Sequence, residues 1–233
     1  MSDVEKISFR QATEKDIDIL LSTIIEADKS GSGLFSFDTC FGISEDRFRE
    51  ILKEILLEDI GGQEWNISDF ILVTVNEIPA GAFCSWIEGS GNQSSSMIRG
   101  TLMQHFFPQE ALQQAKKYKH LLDELSIEKV PGHLILESGY ITPEFRSRGL
   151  LGKLIVEILR IRKAQHPDLK ICSINVLKSN SQALRIYEKI GFITEVERTC
   201  ENPEILKLIA SKSRVQMRRS LDNFCLLYTS RCV

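Results

Sequence analysis

The sequence has little charge imbalance, no paired cysteines and no long apolar run, and each absence removes a class of protein. Its formal net charge is −3 over 233 residues, without the strongly basic face of a nucleic-acid binder. Six cysteines stand at 40, 84, 172, 200, 225 and 232 with no metal-type spacing, and a disulfide framework is not expected in a chain of this size. No apolar stretch approaches the ~20 residues that cross a bilayer. Met1-Ser2-Asp3-Val4-Glu5 is acidic and polar, unlike a signal or transit peptide. The expectation is a soluble cytoplasmic protein that binds neither nucleic acid nor membrane. What is present in quantity is apolar residue, 42% of the chain, enough for a sizeable core. The length fits one domain with insertions.

Ile7 and Phe9 alternate with polar neighbours and predict a first strand. Thr13 and Asp16 form a capping box, and Ile17, Leu20, Leu21, Ile24 and Ile25 share one helical face. Gly31-Ser32-Gly33 breaks that helix. Phe35, Phe37 and Phe41 then read as loop aromatics folding back on the core, or as an apolar pocket wall. A second helix runs from Ser44, burying Phe48, Ile51, Leu52, Ile55 and Leu56, and Gly61-Gly62 stops it. Residues 70–75 and 80–86 predict a hairpin turned by Asn76-Glu77-Ile78-Pro79.

Residues 88–132 read as an insertion: a polar loop over 89–96, then a helix near 108–125 with Lys116, Lys117 and Lys119 on a solvated face. The insertion is expected either to cap an acceptor pocket or to mediate a homodimer. A strand at 133–141, a helix from Leu150, a strand at 170–176 and a helix from Ser181 to Ile190 form a crossover unit with parallel strands. Strands at 192–199 and 214–221 follow, separated by a short helix that opens at Asn202-Pro203. The tail 222–233 shows no period. The sum is an α+β fold over residues 1–221.

The stretch from Tyr140 to Lys153 is a strand end, a basic glycine turn and a helix start. Gly149 lets the backbone approach an anion, and Arg146 and Arg148 supply permanent charge. It is neither a P-loop nor a dinucleotide fingerprint. A second block carries Asn180, Ala183, Tyr187, Gly191 and Phe192. Together the two blocks resemble the GNAT superfamily, the acetyl-CoA-dependent N-acetyltransferases. The first is similar to its R/Q-x-x-G-x-G/A pyrophosphate loop, with Leu151 where the family has Gly or Ala and Gly152 one residue later. The second resembles its N-x-x-A-x-x-x-Y-x-x-x-G-F segment.

The resemblance implies a mixed, mostly antiparallel sheet with helices on both faces and a splayed parallel strand pair at the coenzyme A site. It implies acetyl transfer from acetyl-CoA to a primary amine of a small molecule or peptide, by direct attack in a ternary complex and without a metal. Backbone at Tyr140 and Ile141 would pair with the pantetheine arm. Arg146, Ser147, Arg148, Gly149, Leu150, Leu151, Gly152 and Lys153 would cradle the pyrophosphate, and Asn180 would bond the cofactor arm. Tyr187 would protonate the leaving thiolate, its phenol having an ordinary pKa near ~10. Glu137 is the leading candidate for general base, ahead of His133, while Cys172 reads as buried filler. The alternative is a non-catalytic module of the same fold that holds acyl-CoA as a sensor or partner subunit. Phe35, Phe37 and Phe41 would suit a longer acyl chain.

Overall fold

A computed structural model describes residues 5–222 of the chain. Strand β1 (Ile7–Gln11) pairs antiparallel with β2 (Phe70–Val75). After β1 the chain turns on Asp16. That buried carboxylate accepts two hydrogen bonds of 2.7 Å from Arg10 and one of 2.9 Å from the Thr13 N–H. The Arg10 bonds hold its pKa below the usual range. Helix α1 (Ile17–Lys29) follows with the expected buried face, and Ser30 ends it in the left-handed region.

The three phenylalanines lie on or beside a short helix rather than a loop. Phe35 precedes α2 (Ser36–Phe41) and is buried, while Phe37 stacks on Phe48 at 4.0 Å and on Phe41 at 5.5 Å. Helix α3 (Glu45–Glu58) is capped by the Ser44 hydroxyl. It stops at left-handed Asp59, before the glycine pair, because the Asp59 carboxylate accepts from the N–H groups of Ile67 and Ser68 at 2.8 Å each.

Strand β3 (Ile78–Ile87) completes the hairpin. The turn is two residues, not four. Asn76 and Glu77 both have positive φ, 48° and 70°, which matches the twist of the flanking strands. The insertion holds two helices, α4 (Ser95–Phe106) and α5 (Gln109–Glu124). The first lies partly where a polar loop is expected. It buries only Ser95 and Leu102, so no apolar stripe announces it. Two groups start it: the Ser94 hydroxyl, which accepts from the Met97 N–H at 3.3 Å, and Glu88, a buried carboxylate that accepts from the Ser95 N–H at 2.8 Å and from Trp86 Nε1 at 2.9 Å.

The remaining elements follow along the chain in the expected succession. Strand β4 (Leu134–Ile141), helix α6 (Leu150–Gln165), β5 (Ile171–Leu177) and helix α7 (Ser181–Lys189) make the crossover. Strands β6 (Ile193–Thr199) and β7 (Ser213–Ser220) end the described sheet. Its order is β1-β2-β3-β4-β5-β7-β6, and only β4 and β5 are parallel. Alternate strand residues feed two cores. Leu72, Ala82, Cys84 and Ile135 pack under α1, α3 and the insertion, while Ile71, Val73, Leu134 and Leu136 pack under α6 and α7. Leu150, Leu154, Ile155, Ile158 and Leu159 of α6 are buried, each contributing about 1.5–3 kcal/mol of transfer free energy. Among the described residues no helix is long and apolar enough to cross a membrane. Apart from Asp222, the tail lies outside the described residues.

Candidate active site

The site begins where two strands part. Strands β4 and β5 share only the pairs Leu134–Cys172, Ile135–Ser173 and Leu136–Ile174. Beyond them β4 bends away: Ser138 has φ 54° and the β3–β4 register slips at Phe83/Cys84. Glycine is required at 139 because a Cβ there would overlap the Phe83 ring. From Glu137 to Ile141 the β5-facing edge of β4 therefore has no strand partner. An extended chain could pair with that edge.

The loop after β4 brings two arginines beside unpaired backbone N–H groups. A 3-10 turn at Pro143–Phe145 leads to Ser147 and Gly149, both left-handed, with φ 61° and 68°. A Cβ on Gly149 would meet nothing within 4 Å. The first-turn N–H groups of α6 at Leu150, Leu151 and Gly152 precede the earliest helical donor, Lys153, whose N–H reaches the Gly149 carbonyl at 3.2 Å. Leu151 packs on the core with α6 and leaves the turn open, so the larger side chain is accommodated. Arg146 donates to the Ile141 carbonyl at 3.1 Å and covers the Tyr140 ring at 5.1 Å. Arg148 pairs with Glu5 at 2.7 Å and donates to the Glu144 carbonyl at 2.9 Å.

Asn180 caps α7. Its side-chain oxygen accepts from the Ala183 N–H at 3.1 Å, and its NH2 donates to the Ser30 hydroxyl at 3.1 Å. One lone pair and one N–H remain for a ligand. Tyr187 is buried beside Phe192, and burial raises its phenol above the usual value. Cys172 is also buried, its thiol pushed up, as expected of filler. His133 bonds the Ser173 hydroxyl at 2.9 Å and does not line the cavity described next.

One cavity of ≈ 2290 Å³ joins these parts. Residues 146–153, Tyr140, Ile141, Asn180, Tyr187 and Glu137 all line it. A charged chamber of the same cavity is formed by Glu64, Arg99, Lys129, Glu137, Asp28 and Arg214, which act on one another through space. Phe37 and Phe41 line the cavity as well as packing on the core, whereas Phe35 packs on the core without lining it. The insertion supplies Arg99 and Lys129, held over the Trp65 and Trp86 rings at 5.7 and 5.1 Å.

Glu137 pairs with Lys129 at 2.7 Å, and Glu64 pairs with Arg99. The two carboxyls share one environment with opposite outcomes. Burial pushes Glu64 up, Arg99 only partly offsets this, and the neighbouring Glu137 adds to it, leaving Glu64 at about 7. Burial would also raise Glu137, but Lys129, Glu64 and Arg99 outweigh it and bring it to about 2. Glu64 has no counterpart among the expected site residues. It sits in a buried polar run, Gln63-Glu64-Trp65-Asn66, held by Asp59 and by the Asp69 carboxylate on the Gly62 N–H. A glutamate beside a tryptophan carries no readable pattern.

A mixed seven-stranded sheet, its one parallel pair parted at the end that meets a left-handed basic turn, defines the GNAT fold, and this chain has it. An N-acetyltransferase from Staphylococcus aureus Mu50 matches it with TM-score 0.64 at 16% identity, over 91% of this chain and 100% of the other. The protein yncA from Salmonella typhimurium, solved with its cofactor acetyl-CoA, matches with TM-score 0.52 at 13% identity, over 93% and 95%. A GNAT-family protein from Desulfovibrio desulfuricans matches with TM-score 0.51 at 13% identity, over 92% and 99%. No protein-family model matches the chain, and no curated protein matches it.

Proposed function

We propose that the protein is an N-acetyltransferase moving an acetyl group from acetyl-CoA to a primary amine by direct attack. The observation that carries this reading is a single cavity with an anion turn at one end, an unpaired strand edge along it and a base-bearing chamber beyond. The solved relative that holds acetyl-CoA supports the choice of co-substrate. When bound, acetyl-CoA supplies an activated thioester.

The chain's own residues divide the remaining work. Residues 146–152 hold the pyrophosphate with first-turn N–H groups and the two arginines, and Lys153 adds its charge. The β5-facing edge of β4 at Tyr140 and Ile141, where Arg146 already donates to the Ile141 carbonyl, positions the pantetheine arm, and Asn180 offers its spare N–H and lone pair. Tyr187 keeps its proton at neutral pH and donates it toward the departing sulfur. The attacking amine is protonated at neutral pH and must lose a proton first. A base works best with a pKa near the working pH, which favours Glu64 over Glu137. Glu137 stays ionised and keeps the pair's proton on Glu64.

The reading is tested by thiol release from acetyl-CoA with a panel of primary amines. Amine-dependent release is expected. Tight acetyl-CoA binding with no amine accelerating release would leave the non-catalytic binding module. Within the transferase, Tyr187→Phe should lower kcat by roughly 10²-fold or more with coenzyme A affinity unchanged. Full activity in that variant would remove Tyr187 as the acid. Arg148→Glu should weaken coenzyme A binding by about 10–100-fold, the value of one or two charge-assisted hydrogen bonds. An unchanged dissociation constant would move the pyrophosphate away from this turn.

A further inference from the structure

The chamber beyond the strand opening holds three cations and three carboxylates. Glu64 pairs with Arg99, and Glu137 with Lys129 at 2.7 Å. Asp28 accepts from the Ser36 N–H at 2.7 Å and from the Ser36 hydroxyl. Arg214 is different. Among the described residues its side chain has no hydrogen-bond or ion-pair partner, although Glu137, Asp28 and Glu64 all act on it through space. The polar groups nearest it along the sheet are engaged elsewhere: Gln216 donates to Asn175 at 3.2 Å and to the Glu128 carbonyl at 3.4 Å.

Its position is fixed by register. Arg214 stands on β7 opposite Leu177, the last residue of β5, at the end where β5 has parted from β4. It is partly buried and lines the cavity. Burial pulls its pKa below the ordinary arginine value. A desolvated guanidinium without an anion is unfavourable, and its planar fork fits an oxyanion with two parallel bonds.

We propose that the acceptor carries a carboxylate beside its primary amine, as an amino acid does, and that Arg214 receives that carboxylate. The proposal rests on the transferase reading and names its substrate class. An amino acid presents one group for Glu64, the base, and one for the unpaired cation, and both stand in one chamber. A polyamine would leave Arg214 without an anion, and its second ammonium would have only Asp28, whose carboxylate already accepts twice from Ser36.

The experiment compares three sets of acceptors: the common amino acids, their amides, and the amines left when the carboxyl is removed. For the best amino acid, kcat/KM is expected to exceed that of its amide by roughly 100-fold, since an unmet buried charge typically costs a factor of that order. Arg214→Gln should erase this advantage mainly through KM, leave the amides unchanged, and be partly rescued by Arg214→Lys. Calorimetric binding of N-acetyl amino acids to the coenzyme A complex gives a readout without turnover. Wild-type protein should bind them and Arg214→Gln should not. Amides or diamines accepted as well as amino acids would overturn the proposal and leave the transferase standing, as would equal losses for every acceptor in Arg214→Gln. If no amine turns over and no N-acetyl amino acid binds, both readings fall.

Discussion

Replacing Glu64 by glutamine should lower amine-dependent turnover by about 10²–10⁴-fold, the usual value of a positioned general base. Coenzyme A affinity should stay as it was, because Glu64 lies in the chamber and not at the anion turn. The pH profile makes the test specific. Glu64 titrates at about 7 and acts only when deprotonated, so kcat/KM rises with pH through that value in the parent protein. In the glutamine variant that limb disappears, leaving only the titration of the acceptor's own amine, near ~8 or higher. Tyr187 produces no falling limb in this range, because burial raises it. The companion variant Glu137→Gln separates the two carboxyls. Glu137 raises Glu64, so its removal, which also frees the Lys129 charge, should shift the limb below 7 rather than abolish it. A Glu64→Gln enzyme that keeps its rate and its limb would return the base role to Glu137.

Gly81→Ala should cost about 3 kcal/mol of stability, at the upper end of ordinary overpacking. Gly81 pairs with Ile141 at the end of β4. A Cβ at Gly81 would overlap the Tyr140 carbonyl oxygen and lie 2.5 Å from Ile141 Cδ1 and 3.0 Å from its Cα. Two of those three atoms are backbone, so relief requires moving the strand end that carries the site. Thermal unfolding should fall by roughly 6–12 °C for a chain of this size. Coenzyme A affinity should fall with it, since the same movement displaces the free edge of β4. Gly149→Ala is the contrast. Its Cβ would enter open space, so the cost is the left-handed backbone alone, about 1–2 kcal/mol. If Gly81→Ala lost less than Gly149→Ala, the close β3–β4 contact would not be what fixes this edge.

What could be read directly from the chain is what depends on residues near one another in sequence. The apolar stripe of α6, the left-handed glycine before it, the Asn180 cap and Gly191 behind α7 are all set by local backbone preference and helical period. They were enough to place the sheet's parallel pair and the anion turn. Helix α4 was not legible because it lacks an apolar stripe, its Ser94 cap lies within a run of serines, and its first N–H is held by Glu88, seven residues before Ser95. Glu64 and Arg214 were not legible either. Nothing near them in sequence gives either a special chemistry. Burial and the neighbouring Glu137 raise Glu64 to about 7 against the pull of Arg99, and Arg214 becomes an unmet cation only where β7 lies against the parted end of β5. Sequence alone determined the fold and the basic turn before α6, because short-range sterics and periodic burial act along the chain. The tertiary structure alone decided the charged chamber, because desolvation and charge pairing act through space between residues that the chain keeps far apart.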